Sequence, residues 1–453
     1  MNKNKYNILS VVAIILGGCL LTCCTDDEAD EHNGMVRIDP VFSTAPMVEI
    51  RTRASENEPP PIDGERYGDY VAANEEYYPI GTKIATCLDP YTAGDGSVKE
   101  FDPDNADGYF FHTIKDGTKK IWTSSVFATE NTTYKIFGHV PHDCAASFKY
   151  DFKQNIISMF DIKPVNNTDV SVIVGVGMNH YWNEGKTEAR ADIGAYPCNF
   201  LYKPTSDNHN ICLLMDHLFA RTNFKFAIGT KYHQLRDIKL REVRLSIPEI
   251  MQLDAEIPLD TENAGEPKTK KTAIIDERLV WTITKYSALD ETALRTYISG
   301  KGWDKDKNNQ DILNKENKTI SEWTKDELIK LAESHAQKAV VYFNEDGGQQ
   351  LTETMTLFGP GFFTPLAKPD KPITFQLEVV YDIYDKAGKI TRMGATAVNS
   401  YTANMMDLEG HQIEVKRGNS YNIQITVEPT YLYQLSEYDL DNPSLIISTT
   451  PKS

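Results

Sequence analysis

The feature that most constrains this chain is a long series of short alternating segments, each bounded by turn residues. Residues 78–87 hold one such segment. Tyr109-Phe110-Phe111 and Lys120-Ile121-Trp122 flank Lys115-Asp116-Gly117, a hairpin signal. Residues 133–141 form an aromatic strand, and residues 170–174 an apolar run. Residues 238–247 and 374–384 alternate strongly, and Asp385-Lys386-Ala387-Gly388-Lys389 turns the latter back as a hairpin. This pattern predicts an all-β chain built of sandwiches or barrels.

One stretch breaks the period of two. Thr324-Lys325-Asp326-Glu327 is a capping box, and Leu328, Leu331 and Ala332 then share a helical face. We expect a helix near 325–338, inserted into the second of two domains. A chain of 453 residues, 40% hydrophobic and 10% aromatic, is long enough for two or three packed cores. The expected division is residues 54–212 for the N-terminal sandwich and 213–453 for the C-terminal one.

The N-terminus has a different character. Lys3 and Lys5 precede an apolar run from Ile8 to Leu21, shorter than the roughly 20 residues of a membrane span. Leu21-Thr22-Cys23-Cys24 then fits a lipoprotein signal, with residues 1–23 as signal peptide and Cys24 as the acylated residue. Cys19 and Cys23 also have leucine three residues before them. Cys24 is favoured because Asp26, Asp27, Glu28, Asp30 and Glu31 follow at once. That acidic stretch resembles the surface-export signal of lipoproteins of gut and oral anaerobes; it also reads as an ordinary solvated tether. Several acyl chains such as palmitate, at about 0.8 kcal/mol per methylene, make a firm anchor. Residues 24–53 form a tether and propeptide, with strand character in Val36, Ile38, Phe42 and again at residues 47–51. Arg51 and Arg53 then sit just before Pro59-Pro60-Pro61, a linker that cannot join a central sheet. An exposed seam of this kind is open to proteolysis.

The formal charge is −18, and loss of residues 1–23, with Lys3 and Lys5, makes it −20. That argues against nucleic acid as a partner, since phosphate binding needs clustered Lys and Arg. Cys87, Cys144, Cys198 and Cys212 lie far apart, without zinc spacing, and read as small buried thiols or up to two disulfides. No H-E-x-x-H, G-x-S-x-G or Walker loop occurs, and His217 reads as a packed or surface histidine. Two acidic runs, 102–108 and 304–315, fall short of a calcium loop: Ala106 takes a ligand position in one, Asn309 and Lys315 replace the glycine and glutamate in the other. We therefore expect no enzyme activity, no metal and no cofactor.

The lipoprotein start, Arg51-Thr52-Arg53-Ala54 and the order of short strands together resemble the fimbrillins, the type V pilins of Bacteroidales. Residues 133–141 are similar to a strand of their N-terminal domain. Asp216-His217-Leu218-Phe219-Ala220-Arg221 is similar to the opening of their second domain, and residues 380–385 and 418–423 to C-terminal strands. The resemblance implies two transthyretin-like β-sandwiches and export to the outer membrane and cell surface. It implies cleavage after Arg51 or Arg53 by an arginine-specific protease, then polymerisation with other fimbrial subunits by strand exchange. The removed strand would lie within residues 36–51, and the donor would include Leu445, Ile446 and Ile447. Cleavage after Arg53 removes seven acids and three arginines from the acylated form and moves its charge from −20 to −16.

The expected function is thus a structural subunit of a fimbria supporting adhesion. The long polar insertion 285–338 and the polar stretch before the last apolar triplet allow a tip or accessory subunit instead. A further alternative is a monomeric surface lipoprotein that binds glycan or a host ligand; aromatics such as Trp182, Trp303 and Trp323 could line its site, although core packing is the expected place of any single one.

Overall fold

A computed structural model describes residues 34–44, 48–50, 71–72, 78–92, 96–101, 108–115, 117–177, 196–197, 201–206, 209–259, 267–268, 279–343, 348–359, 361–365, 373–402, 417–429 and 440–448. The expected acylation site Cys24, the arginines Arg51 and Arg53, Cys198, Trp182 and residues 102–107 lie outside them. The fold is all-β, with sheets packed face to face and few helices.

The first sandwich carries a nine-stranded sheet. Its path runs Val71–Ala72, Asp39–Thr44, Asn210–His217, Ser171–Gly177, Tyr134–Val140, Lys83–Pro90, Tyr109–Lys115 and Lys119–Ser124, with Leu201–Tyr202 also on Tyr134–Val140. Facing it is a five-stranded sheet of Val280–Lys285, Ile250–Pro258, Ile156–Ile162, Ala145–Asp151 and Val98–Phe101. Aromatic side chains meet between the two layers. His139 stacks on Phe148 with ring centroids 3.7 Å apart, and Phe137 stacks on Phe152 at 4.5 Å.

The second sandwich pairs a six-stranded sheet with a five-stranded one. The six-stranded sheet is centred on Ala220–Ile228 and Asn419–Glu428, which run parallel from Arg221↔Ser420 to Ile228↔Val427. The five-stranded sheet runs Lys338–Tyr342, Arg236–Ser246, Thr374–Asp385 and Ile390–Thr402, with Gln349–Gln350 beside Arg236–Ser246. The long hairpin 374–402 forms as its turn residues predict: Gly388 adopts φ 82°, and the Asp385 carboxylate accepts from the N–H groups of Ala387 and Lys389.

Sheet pairing does not divide the chain at 212/213. The strand Asn210–His217 straddles that point and belongs wholly to the first sandwich. The strand Ile250–Pro258 returns to pair with Ile156–Ile162. Local composition shifts mark neither crossing, because strand partners are chosen by non-local contacts.

Two helices follow the returning hairpin. Lys325–Ser334 carries the capping box: Glu327 N–H donates to Thr324 Oγ1 and Thr324 N–H to Glu327 Oε2 at 2.9 Å. It ends four residues before the expected 338, where Lys338–Tyr342 begins as a strand. A second helix, Glu291–Gly300, has Asp290 as its cap, accepting from Ala293 N–H at 2.8 Å. Leu294 and Ile298, four apart, face Leu328 and Ala332 in a small core separate from the main one.

That small core takes in two of the tryptophans, as core packing predicts. Trp323 is 6% exposed within it, and Trp303 stacks on His335 at 4.6 Å. Neither tryptophan is laid out as a sugar platform. The loop 304–315 serves its own backbone: Asp306 accepts from the N–H groups of Asn308 and Gln310.

Candidate functional site

Three short strands at the described N-terminus touch three sheets. Met35–Arg37 pairs antiparallel with Phe127–Thr129. Ile38 is fully buried, and its N–H donates to Val126 O at 2.9 Å. Asp39–Thr44 then lies parallel to Asn210–His217, in continuous register from Asp39↔Asn210 to Thr44↔Met215. Among the described residues its outer edge pairs with the two-residue strand Val71–Ala72. Under this ladder Ile211, Leu213 and Met215 are fully buried. Val48–Ile50 crosses to the second sandwich and pairs parallel with Asn419–Glu428, Val48↔Asn419 to Ile50↔Tyr421.

The same strand also receives the C-terminus. Ser444–Ser448 pairs antiparallel with it, from Gln424↔Ser448 to Glu428↔Ser444. One edge of Asn419–Glu428 is filled by Ala220–Ile228 along residues 420–427. A strand has two edges, so Val48–Ile50 and Ser444–Ser448 share the other, end to end. Leu445, opposite Val427, is 6% exposed, and Ile446 is half-buried. Ile447 stands opposite Ile425 in the same ladder. Polar contacts hold the approach to this strand. Arg236 Nε lies 3.0 Å from Asp441 Oδ1, Arg392 Nη1 donates to Asp441 O at 2.8 Å, and Tyr381 Oη to Pro443 O at 3.3 Å.

Between the N-terminal and C-terminal seats lies a buried polar clasp. Arg417 Nη1 contacts Asp216 Oδ2 at 2.7 Å and His217 O at 3.1 Å. His217 Nδ1 lies 2.7 Å from Asp169 Oδ2, which also accepts from Tyr78 Oη and Ser171 Oγ. Arg221 Nε and Asn223 Nδ2 both donate to Ser420 Oγ. Serine, histidine and aspartate meet here, but Asp169 joins the other two, and all three are fully buried. A hydrolase needs serine against histidine and open to substrate. His217 is thus a packed histidine holding the junction.

The four cysteines outside the signal divide as follows. Cys87 and Cys144 are free thiols, and burial pushes the Cys87 thiol up to about 11, and Cys144 higher still. Thiols so disfavoured as thiolates are poor nucleophiles. Cys212 lies in the strand Asn210–His217. Among the described residues no group of His, Cys, Asp and Glu is arranged to hold a metal, and no helix is long and apolar enough to cross a membrane.

No protein-family model matches the chain, and no curated protein does. Among solved structures it is similar to a candidate cell adhesion protein of Bacteroides fragilis, at 12% identity and TM-score 0.31, over 92% of this chain and 98% of that one. It is similar to another from Bacteroides uniformis, at 8% identity and TM-score 0.31, with the same coverage. A fimbrial protein of Bacteroides vulgatus is 8% identical, with TM-score 0.22, over 91% of this chain and 98% of that one.

Proposed function

We propose that the chain is a structural subunit of a cell-surface fimbria, exported as an outer-membrane lipoprotein through Cys24 and assembled by strand exchange after cleavage at Arg51 or Arg53. The supporting observation is the shared edge of Asn419–Glu428, where Val48–Ile50 and Ser444–Ser448 lie end to end. Arg51 follows Ile50 directly. A cut there frees the whole of residues 39–50 and uncovers two ladders at once, on Asn210–His217 and on Asn419–Glu428. Exposed strand edges over buried apolar side chains recruit an incoming strand through backbone hydrogen bonds and alternate side-chain pockets. The donor is a neighbour's C-terminal segment with Leu445, Ile446 and Ile447. The two sandwiches, roughly 54–212 and 213–453 with the crossings described above, form the rigid body of the subunit.

One observation favours a tip or accessory place over the stalk. The C-terminal strand pairs within its own chain and is approached through the Arg236–Asp441 ion pair and the Arg392 hydrogen bond. A stalk donor must leave that seat. Digestion of the precursor with an arginine-specific protease tests both readings. Cleavage after Arg51 or Arg53 followed by SDS-resistant ladders supports a stalk subunit. Cleaved monomers that bind a separate donor strand without self-assembly support an accessory one. If the Arg51→Ala/Arg53→Ala variant is processed and assembles like wild type, the proposed site is wrong. Cleaved protein that neither assembles nor accepts a strand removes the fimbrial reading.

A further inference from the structure

A cleft of about 580 Å³ opens where the first sandwich meets the strand Lys338–Tyr342 of the second. No residue of either terminal strand lines it. Three lysines line it, each from a different element: Lys83 at the start of Lys83–Pro90, Lys163 after Ile156–Ile162, and Lys338. His142 is beside them, and Asp143 is the one acid in the lining. On a chain of formal charge −18, this is a local reversal of sign.

The cleft is built from fixed parts. Asn166 and Phe363 exchange both backbone hydrogen bonds, at 3.0 and 2.9 Å, and Asn167 Nδ2 donates to Val340 O. These bonds tie the loop 163–168 to the second sandwich and hold the walls apart. His142 N–H donates to Lys83 O at 3.0 Å, joining two of the basic elements. Lys163 pairs with Asp143 at 2.9 Å, and Lys338 with Glu378 at 2.7 Å. Lys83 stands instead over the rings of Tyr109 and Phe111, at 5.6 and 5.8 Å from their centroids. Two of the three lysines are therefore partly neutralised, whereas among the described residues the Lys83 ammonium has aromatic faces rather than a carboxylate against it, from two rings just outside the lining.

The volume falls within the roughly 300–1,000 Å³ of small-molecule sites. Its lining decides the class of ligand. No phenylalanine, tyrosine, tryptophan, leucine or methionine lines the cleft, and its larger apolar side chains are Ile80, Val165 and Val340, so a peptide would find no aromatic anchor pocket. No arginine lines it, so the forked recognition of a phosphate is missing. Thr168, Asn166 and Gln337 instead supply one hydroxyl and two carboxamides, groups that both donate and accept and so match the hydroxyls of a sugar. We propose that this cleft binds an acidic oligosaccharide of a few units, its carboxylate or sulfate groups on Lys83 and Lys163 and its hydroxyls on the amide wall.

This inference is independent of fimbrial assembly, because every lining residue belongs to the single uncut chain and none to the terminal strands. Titration calorimetry on the monomeric chain tests it, with a uronic-acid tetrasaccharide, a sulfated tetrasaccharide and a neutral one of equal length. At least one acidic sugar should bind tenfold or more tightly than the neutral one, and its affinity should fall as salt rises. The stronger of the two identifies carboxylate or sulfate as the preferred group. Lys83→Gln and Lys163→Gln should each weaken that binding about tenfold, whereas Lys231→Gln, on an exposed helical turn, should leave it unchanged. Both cleft lysines are partly exposed, so the variants are expected to fold, which circular dichroism checks. Equal affinity for the neutral sugar, no binding of either acidic sugar at millimolar concentration, or affinity unaltered in both cleft variants would overturn the proposal.

Discussion

His139 is fully buried between the two sheets of the first sandwich, stacked on Phe148. Its Nε2 lies 3.2 Å from His142 O, and its Nδ1 2.5 Å from Tyr150 Oη. With Nε2–H donated to the carbonyl, Nδ1 accepts from the hydroxyl, and the neutral ring is fully satisfied. Burial lowers its pKa to about 3, only partly opposed by the His142 carbonyl. An unfolded histidine titrates near 6.5, so the unfolded chain binds the extra proton first as pH falls. The stability tied to neutral His139 is therefore complete above about pH 6.5 and is lost progressively toward pH 3. Between pH 7 and 5 the loss should be about 2 kcal/mol. Denaturant unfolding at those two pH values should show it in wild type and a smaller change in His139→Gln; equal slopes would mean that His139 does not titrate on unfolding. In the sequence this histidine is one of several at a strand position. Nothing in Gly138-His139-Val140 indicates that Phe148 and Tyr150 cover it, because cover comes from the facing sheet.

Local signals served best for single elements. The hairpins around Gly117 and Gly388 and the capped helix are written in residues only a few positions apart, where turn geometry and capping act. The missed helix Glu291–Gly300 had such a signal as well: Asp290 as cap, then Leu294 and Ile298 at helical spacing. Its isolated pattern is short, and its stability comes from packing on Lys325–Ser334 and Trp323. The capping box can be probed by itself. Thr324→Ala removes the acceptor for Glu327 N–H and should cost about 1 kcal/mol. Thr324→Ser should restore most of it. Hydrogen exchange in residues 325–328 is the sensitive readout; no change there in Thr324→Ala would mean that tertiary packing alone sets this helix end. The strands within residues 36–51 were likewise visible as alternation. Their partners on Asn210–His217 and Asn419–Glu428 were not, since register over such separations leaves no local trace.

Across the whole molecule, the chain passes from one sandwich to the other through a bend of two residues. Asn210–His217 leads through the fully buried Leu218 and Phe219 into Ala220–Ile228. Leu218 N–H donates back to Val170 O in the first sandwich, and Gly418 N–H donates to Phe219 O from the second. The ion pair of Asp216 with Arg417 closes this crossing, with the aspartate fully buried and the arginine 12% exposed. Its members are 201 residues apart, which is why Asp216-His217 was recognisable as a motif but not as half of a clasp. A buried carboxylate that loses its cation is left with little solvent to replace it. Arg417→Met should therefore destabilise the chain by about 3–5 kcal/mol, although methionine keeps much of the apolar stem. Asp216→Asn in the same chain removes the stranded charge, so the double variant should be more stable than Arg417→Met alone. Denaturant unfolding of the single variants, the pair and wild type gives the coupling directly. A double variant as unstable as the sum of its parts would show that the two side chains act separately. The junction would then be held by its backbone bonds and by the buried bend at Leu218 and Phe219 that joins the two strands.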